Sequence, residues 1–392
     1  MPMHKSFPIY LDYAASTPLD PRVVKVLRET IESSALLGNA ASQHYYGWSA
    51  SEHIEEARSE VAMSLQADAR EIIWTSGATE SDNLALKGAA YFYRERGRHI
   101  ITVQTEHKAV LDTCAQLERE GFEVTYLSVQ SNGLLDINDL QKALRSDTIL
   151  VSVMQVNNET GVIQDIKQIA EIVKNHGALF HTDAAQSIGK IALNVQEIPV
   201  DFVSLSAHKV YGPKGIGALY IRRKPRARLL SLLQGGGHEQ GLRSGTLATH
   251  QIVAMGEAFK IARADFEFDQ QHIRALRVQL IEGLKTIPGI IFNGDLENTV
   301  AGIVNFSCLA VEGESLLLAI QQDLAVSSGS ACTTATIESS HVLRAMRVSD
   351  ELAHSALRIS FGRFTTAAEI EKTIEVLRRE ILRLRALGSA WV

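Results

Sequence analysis

The sequence predicts an α/β fold: a large domain with a mainly parallel sheet covered by helices on both faces, plus a smaller α+β domain. Two observations carry this. From Glu71 to Leu205, short apolar runs alternate with amphipathic helical patterns, the signature of strand–helix–strand crossovers. After Thr249 the rhythm changes to long helices followed by a few separated strands.

Asp20-Pro21 opens the first clear helix, with an N-cap acid and proline at the first helical position, and the pattern runs to about Ser33. A polar, glycine-containing stretch from Gly38 to Gly47 leads to a second helix from about Ser49, where Ile54, Ala57, Val61, Ala62 and Leu65 recur at helical spacing. Strands then follow at 72–75, 99–103, 122–127, 149–154, 178–182 and 200–205, with a further apolar run at 218–221. The helices between them end near Ala90, Glu120, Leu144 and His176. Beyond Thr249 the pattern gives helices at about 252–265 and 270–286, strands near Ile290, at 303–306 and at 357–360, and a last helix from Ala367 to about Leu387. The expected division is 16–262 for the large domain, with 1–15 and 263–392 forming the small one.

The chain has 392 residues, 45% of them apolar and 21% charged, with a formal net charge of −6. Such a balance does not point to nucleic acid or a membrane surface as the main partner. No apolar run approaches a membrane span, and Met1 to Ser6 lacks the apolar core of a signal peptide, so a cytoplasmic location is expected. Three cysteines, Cys114, Cys308 and Cys332, do not make a disulfide framework. With no CxxC or clustered His/Cys spacing, no intrinsic metal site is expected.

In parallel sheets ligands bind beyond the carboxyl ends of the strands. The polar clusters fall there: Ser76-Gly77-Ala78-Thr79, His107, Asn157-Asn158-Glu159, Asp183 with Gln186, and Ser206-Ala207-His208-Lys209. Ser76 to Thr79 places small residues at a helix N-terminus, which suits a phosphate, although ordinary capping by Ser76 or Thr79 would look the same. No Walker lysine and no GxGxxG follow, which argues against ATP and dinucleotides. Asp183 ends an apolar strand and should face a cation or donor, of which a pyridinium nitrogen is one. A lysine able to form an imine completes the requirements of pyridoxal phosphate. Lys209 and Lys214 both lie in the glycine-rich connection, Lys209 nearer the strand end.

His107 can stack on a ring or shuttle protons. Arg358, a charge inside the apolar run 356–360, suits a substrate carboxylate. Cys114 and Cys308 read as small core residues. Cys332 lies among small residues at 327–336 with little to pack, so an accessible thiol in a mobile loop, at about 327–340, is expected there.

These motifs resemble those of the cysteine desulfurases, fold-type I pyridoxal-phosphate enzymes related to the class V aminotransferases, and especially their housekeeping iron–sulfur-cluster type. The likeness runs from Tyr10-Leu11-Asp12-Tyr13 to about residue 387. It includes the stretches 75–83, Thr105-Glu106-His107-Lys108, Val156-Asn157-Asn158-Glu159, 208–215, Arg243-Ser244-Gly245-Thr246 and 327–332. Ala40 stands where that family usually has proline.

The resemblance implies that Lys209 carries pyridoxal 5′-phosphate as an imine and that Ala78, Thr79, Ser206 and His208 hold the phosphate. It implies that Asp183 pairs with the ring nitrogen, Gln186 contacts the ring hydroxyl and His107 stacks over the ring. Asn158 and Arg358 would bind the carboxylate of L-cysteine, and Thr246 would reach the phosphate of the other subunit of a homodimer. Cys332 would take the sulfur as a persulfide, hold a nascent iron–sulfur cluster transiently, and serve an iron–sulfur scaffold protein and sulfur-carrier acceptors. Relatives of this type extend beyond the position of Val392 and use that tail to dock the scaffold. A selenocysteine lyase or an ordinary aminotransferase of the same fold are the rival enzymes, and a non-catalytic assembly subunit is the rival of another class.

Overall fold

A computed structural model describes residues 7–328 and 339–388. In chain order the first elements are β1 (Ile9–Tyr10), α1 (Pro21–Glu32), α2 (Tyr45–Leu65), β2 (Ile72–Thr75), α3 (Ala78–Tyr93), β3 (His99–Val103) and α4 (Lys108–Arg119). There follow β4 (Glu123–Leu127), α5 (Ile137–Ala143), β5 (Thr148–Ser152), α6 (Ile166–His176), β6 (Leu179–Asp183), β7 (Phe202–Ser206) and β8 (Gly217–Ile221). Two long helices, α7 (Thr249–Ala264) and α8 (Phe266–Lys285), lead to β9 (Ile290–Phe292), β10 (Ile303–Cys308) and α9 (Gly313–Ile320). The remainder is β11 (Leu324–Ala325), β12 (Ser327–Ser328), α10 (His341–Ala345), α11 (Asp350–His354), β13 (Leu357–Ser360) and α12 (Ala367–Gly388).

The large sheet runs β2-β8-β7-β6-β5-β3-β4. All of its strands are parallel except β8, which lies antiparallel between β2 and β7. Its interior strands β8, β7, β5 and β3 are buried at every position and β6 at all but Leu179, while the edge strand β4 is partly exposed, as expected of a sheet covered on both faces. Alternation along each strand divides the core. Ile72, Trp74, Val203, Leu205, Ala218 and Tyr220 face one layer with α2, α6 and α7. Ile73, Phe202, Leu219 and Ile221 face the other with α3 and α4. Each fully buried aliphatic side chain contributes about 1.5–3 kcal/mol.

A second sheet, β12-β13-β10-β9, has a core of its own from Leu11, Ile273, Leu280, Val304, Phe306, Leu357, Ile359 and Ile381. β1, from the start of the chain, pairs in parallel with β11 as a separate two-stranded sheet, and Leu11 just after it packs into the same core.

Several elements differ from the sequence expectation. Helix α2 starts at Tyr45 rather than near Ser49, because His44 Nδ1 accepts from Gly47 N–H at 3.3 Å and caps the helix there. The short α9, α10 and α11, and the two-residue strands β1, β11 and β12, are too brief for periodicity to reveal. Cys114 and Cys308 are buried, and burial pushes both thiols up, Cys308 to about 12.

Candidate active site

Beyond the carboxyl ends of the large sheet lies a cavity of about 580 Å³. Ala78, Thr79, His107, Asn158, Asp183 and Gln186 line it, together with Ser206, His208, Lys209 and Arg358. Of the residues given a catalytic or binding role from sequence, two are not in this group, and Asn157 and Glu159, named with Asn158, do not line the cavity either. Thr246 is exposed on another loop, and Cys332 lies outside the described residues.

At one end, β2 delivers the chain to Gly77, the N-cap of α3, which has a φ of +155° and no side-chain cap among the described residues. Neither Ser76 nor Thr79 caps the helix. Among the described residues no atom lies within 4 Å of where a Cβ at Gly77 would sit. The helix N-terminus is thus open to the cavity, with the positive end of the helix dipole behind it. Ser76 N–H donates to Glu80 Oε2 at 2.7 Å, and Arg243 holds Glu80 from outside at 2.8 Å. Beside this opening, at the end of β7, Ser206 Oγ is buried and has no hydrogen-bond partner among the described residues.

Asp183 closes β6, buried, with Oδ1 accepting from Ala185 N–H at 2.8 Å. Burial, with repulsion from Asp82 second, pushes its carboxyl up to about 6. A carboxyl in that condition is stabilised by a cationic hydrogen-bond donor. Asp82 sits behind it on α3, pushed up to about 7 by burial, 3.5 Å from the ring of His181. Burial pulls His181 down to about 4, so it is neutral near pH 7.

His107 caps α4, and its Nδ1 accepts from Ala109 N–H at 3.1 Å, which leaves Nε2 as the remaining ring nitrogen. His208 is pulled down to about 4, first by burial and then by the charges of Lys209, Lys214 and Lys190. Lys209 ends the short 3₁₀ turn after β7 and donates to the carbonyls of Ala14 and, at 2.9 Å, Ala15. Lys214 lines the same cavity. Gln186 Nε2 donates to the Ala14 carbonyl at 2.7 Å.

The opposite end comes from the second sheet. Arg358, buried on β13, donates through Nη2 to Asp12 Oδ1 and through Nη1 to the Asn158 carbonyl, each at 2.8 Å. Its Nε has no partner among the described residues. Asp12 is a site residue that sequence reasoning did not single out. In the sequence it is only an acid between Leu11 and Tyr13, and its partner Arg358 lies 346 positions away.

The donor set fits pyridoxal 5′-phosphate. An open helix N-terminus and an orphaned hydroxyl suit the phosphate, a buried carboxyl suits a pyridinium nitrogen, and a lysine amine suits the aldehyde. Among the described residues no group of three or more His, Cys, Asp or Glu is placed to hold a metal ion, and no helix is long and apolar enough to cross a membrane.

Comparison with known proteins agrees. The Aminotransferase class-V family profile matches residues 9–373. "Cysteine desulfurase IscS" of Vibrio vulnificus (strain YJ016) is 58% identical over 385 residues, covering 98% of this chain and 95% of that protein. The chain belongs to the class-V aminotransferase family, on its IscS-type cysteine desulfurase branch. The same name is carried by a protein of Pseudoalteromonas translucida (strain TAC 125), 58% identical over 386 residues with the same coverage. Among solved structures, "NIFS-LIKE PROTEIN" superposes with a TM-score of 0.89 at 36% identity, covering 95% of this chain and 99% of that one. "SspA in complex with cysteine" does so at 0.81 and 36%, covering 91% and 99%. The architecture is therefore that of pyridoxal-phosphate fold type I, and the enzyme class is cysteine desulfurase. Enzymes of this family depend on pyridoxal phosphate.

Proposed function

We propose that this cavity takes the sulfur of L-cysteine, releases L-alanine and leaves a persulfide on Cys332, with pyridoxal 5′-phosphate as the resident cofactor. The observation that carries the reading is the convergence of Lys209, Asp183, Ser206 and Arg358 on one cavity at an open helix N-terminus. Ala78, Thr79, Ser206 and His208 would hold the phosphate, Asp183 the ring nitrogen and Gln186 the ring oxygen, with His107 over the ring.

When bound, the cofactor supplies an aldehyde for the amines of Lys209 and substrate in turn, and an electron-poor ring that stabilises negative charge at the substrate α-carbon. Arg358 and Asn158 hold the α-carboxylate. Lys209, which would also hold the cofactor, would remove the substrate α-proton as general base. His107 moves protons through Nε2. The Cys332 thiolate then attacks the substrate sulfur. A sulfur–sulfur bond forms as the carbon–sulfur bond breaks, the electron pair of the broken bond stays with carbon, and the carbon fragment takes up protons and leaves as alanine. The balance is L-cysteine plus enzyme thiol giving L-alanine plus enzyme persulfide.

The same reading makes the protein a cytoplasmic homodimer in which Thr246 reaches the phosphate of a second copy. Cys332 would hold a nascent cluster transiently and pass sulfur to a scaffold protein or sulfur carriers, for iron–sulfur cluster assembly and tRNA thiolation.

The test is release of alanine and sulfide from L-cysteine with a thiol reductant, in wild type and Cys332→Ala. Equal yields that vanish in the variant support the reading. Products that persist in the variant overturn the role of Cys332.

A further inference from the structure

Lys190 is a cation beside the cavity that the chemistry above does not use. It lies in the turn after β6, four residues beyond Gln186, and is only partly exposed. Its Nζ donates to Gln186 Oε1 at 2.5 Å. Gln186 Nε2 in turn donates to the Ala14 carbonyl at 2.7 Å, and the same carbonyl accepts from Lys209 Nζ. Ala14 is fixed from its other side, where its N–H donates to Ser360 Oγ at 2.8 Å. Lys190 is thereby joined to Lys209 through one amide side chain and one peptide carbonyl. Desolvation, with repulsion from Lys209 and Arg358 following, brings the Lys190 ammonium down to about 7.

An ammonium group only donates and a peptide carbonyl only accepts. Just one orientation of the Gln186 amide satisfies both neighbours, with Oε1 toward Lys190 and Nε2 toward Ala14. A flipped amide would set donor against donor at Lys190 and acceptor against acceptor at Ala14. In the satisfied orientation Oε1 is turned toward Lys190 and Nε2 toward Ala14, and the second Nε2 hydrogen is the donor Gln186 has left for the cavity it lines. The consequence is chemical. A donor favours a ring oxygen that carries negative charge, whereas an acceptor would favour the protonated hydroxyl.

We propose that Lys190 is a positioning residue that, by holding Gln186 Oε1, fixes this amide as a hydrogen-bond donor toward the ring oxygen of the cofactor. The inference rests on the reading that Gln186 faces that oxygen. It differs from a merely structural role because it acts on one substituent of one ligand.

The probe pair is pyridoxal 5′-phosphate and 3-deoxypyridoxal 5′-phosphate, which lacks the ring oxygen, titrated into cofactor-free full-length protein. A hydrogen bond to an ionised oxygen is worth about tenfold or more in affinity, so wild type should prefer the complete cofactor by about that factor. Lys190→Met, which keeps the length and removes the donor, should bring the preference close to parity and shift the visible absorption of the bound cofactor. Lys190→Arg, which keeps a donor, should retain it, and Lys190→Met should add nothing in a Gln186→Ala background. A folded Lys190→Met protein with undiminished preference, or a folded Lys190→Arg protein without it, overturns the proposal while leaving the cofactor reading intact. Failure of the wild type to bind pyridoxal phosphate overturns both.

Discussion

The two ends of the cavity are built on opposite principles. At the end formed by β2, β6 and β7, groups are held in place without having all their polar atoms satisfied: Ser206 Oγ has no partner among the described residues, α3 has no side-chain cap among them, and Asp183 is forced upward by burial. At the end formed by β13, Arg358 has both Nη atoms engaged, by Asp12 Oδ1 and the Asn158 carbonyl, and only its Nε lacks a partner among the described residues. Buried polar groups left without partners are costly, so the first end, with more of them, is the one stabilised by a guest that stays. The second end is held chiefly by contacts of its own and can exchange a guest at each turnover. A resident cofactor and a transient substrate ask for that difference.

The largest expected effect comes from breaking the resident end. Lys209→Ala should lower alanine formation at least about a thousandfold, since under the proposed function it removes both the covalent anchor and the general base, and the visible absorption of the loaded protein should change with it. Single-turnover assays and absorption spectra check this. At the transient end, Arg358→Lys replaces a planar fork by a point charge and should raise KM for L-cysteine about tenfold to a hundredfold while leaving cofactor affinity unchanged. Equal losses of cofactor and substrate affinity would erase the distinction between the ends.

Asp12→Asn should act mainly on the protein itself. It leaves a buried guanidinium short of its counter-charge and should cost about 1–3 kcal/mol of stability in urea denaturation, with turnover changed less than in Arg358→Lys.

The smallest effect on turnover concerns Asp82, behind the resident end, where the change is in the pH dependence of stability. Burial holds its carboxyl at about 7 in the folded protein, against about 3.9 in an unfolded chain. Below pH of about 4 both states are protonated. Between about 4 and about 7 the unfolded carboxyl ionises while the folded one keeps its proton, so this group makes stability fall as pH rises through that window. Asp82→Asn, neutral throughout, should flatten that part of the curve in cofactor-free protein, measured by urea denaturation at pH 4.5 and 7.

Much of this arrangement was legible in the residues. Polar clusters at strand ends announced the resident end, because five of them fall at one edge of one sheet, whereas any one alone would read as a cap or a turn. The direction of β8 was not part of the sequence expectation, although the connection 207–216 is too short for a parallel crossover. Asp12 and Lys190 were not singled out, for different reasons. Asp12 meets Arg358 across 346 positions of sequence, and no local pattern joins them. Lys190 looks like any polar residue in a turn until the Ala14 carbonyl, again from far away in the chain, fixes which way Gln186 must face. The short helices α9 to α11 escaped because a turn or two of helix carries too few residues to show a period.

Strand β8 sits between β2 and β7, so that Gly217 pairs with Thr75 on one side and Ser206 on the other. A Cβ at Gly217 would lie 2.4 Å from the Leu205 carbonyl oxygen and 2.6 Å from Gly77 Cα, so only glycine lets the three segments close up. The opening at α3 and the Ser206 hydroxyl, far apart along the chain, become neighbours only when this strand is inserted. Pairings of such long sequence separation carry a large loop-closure cost and slow folding. During refolding, competence to bind inorganic phosphate or pyridoxal phosphate should rise together with the burial of Trp74, which pairs with Ala218 on β8. Capture of the cofactor then reports the moment at which β8 enters the sheet.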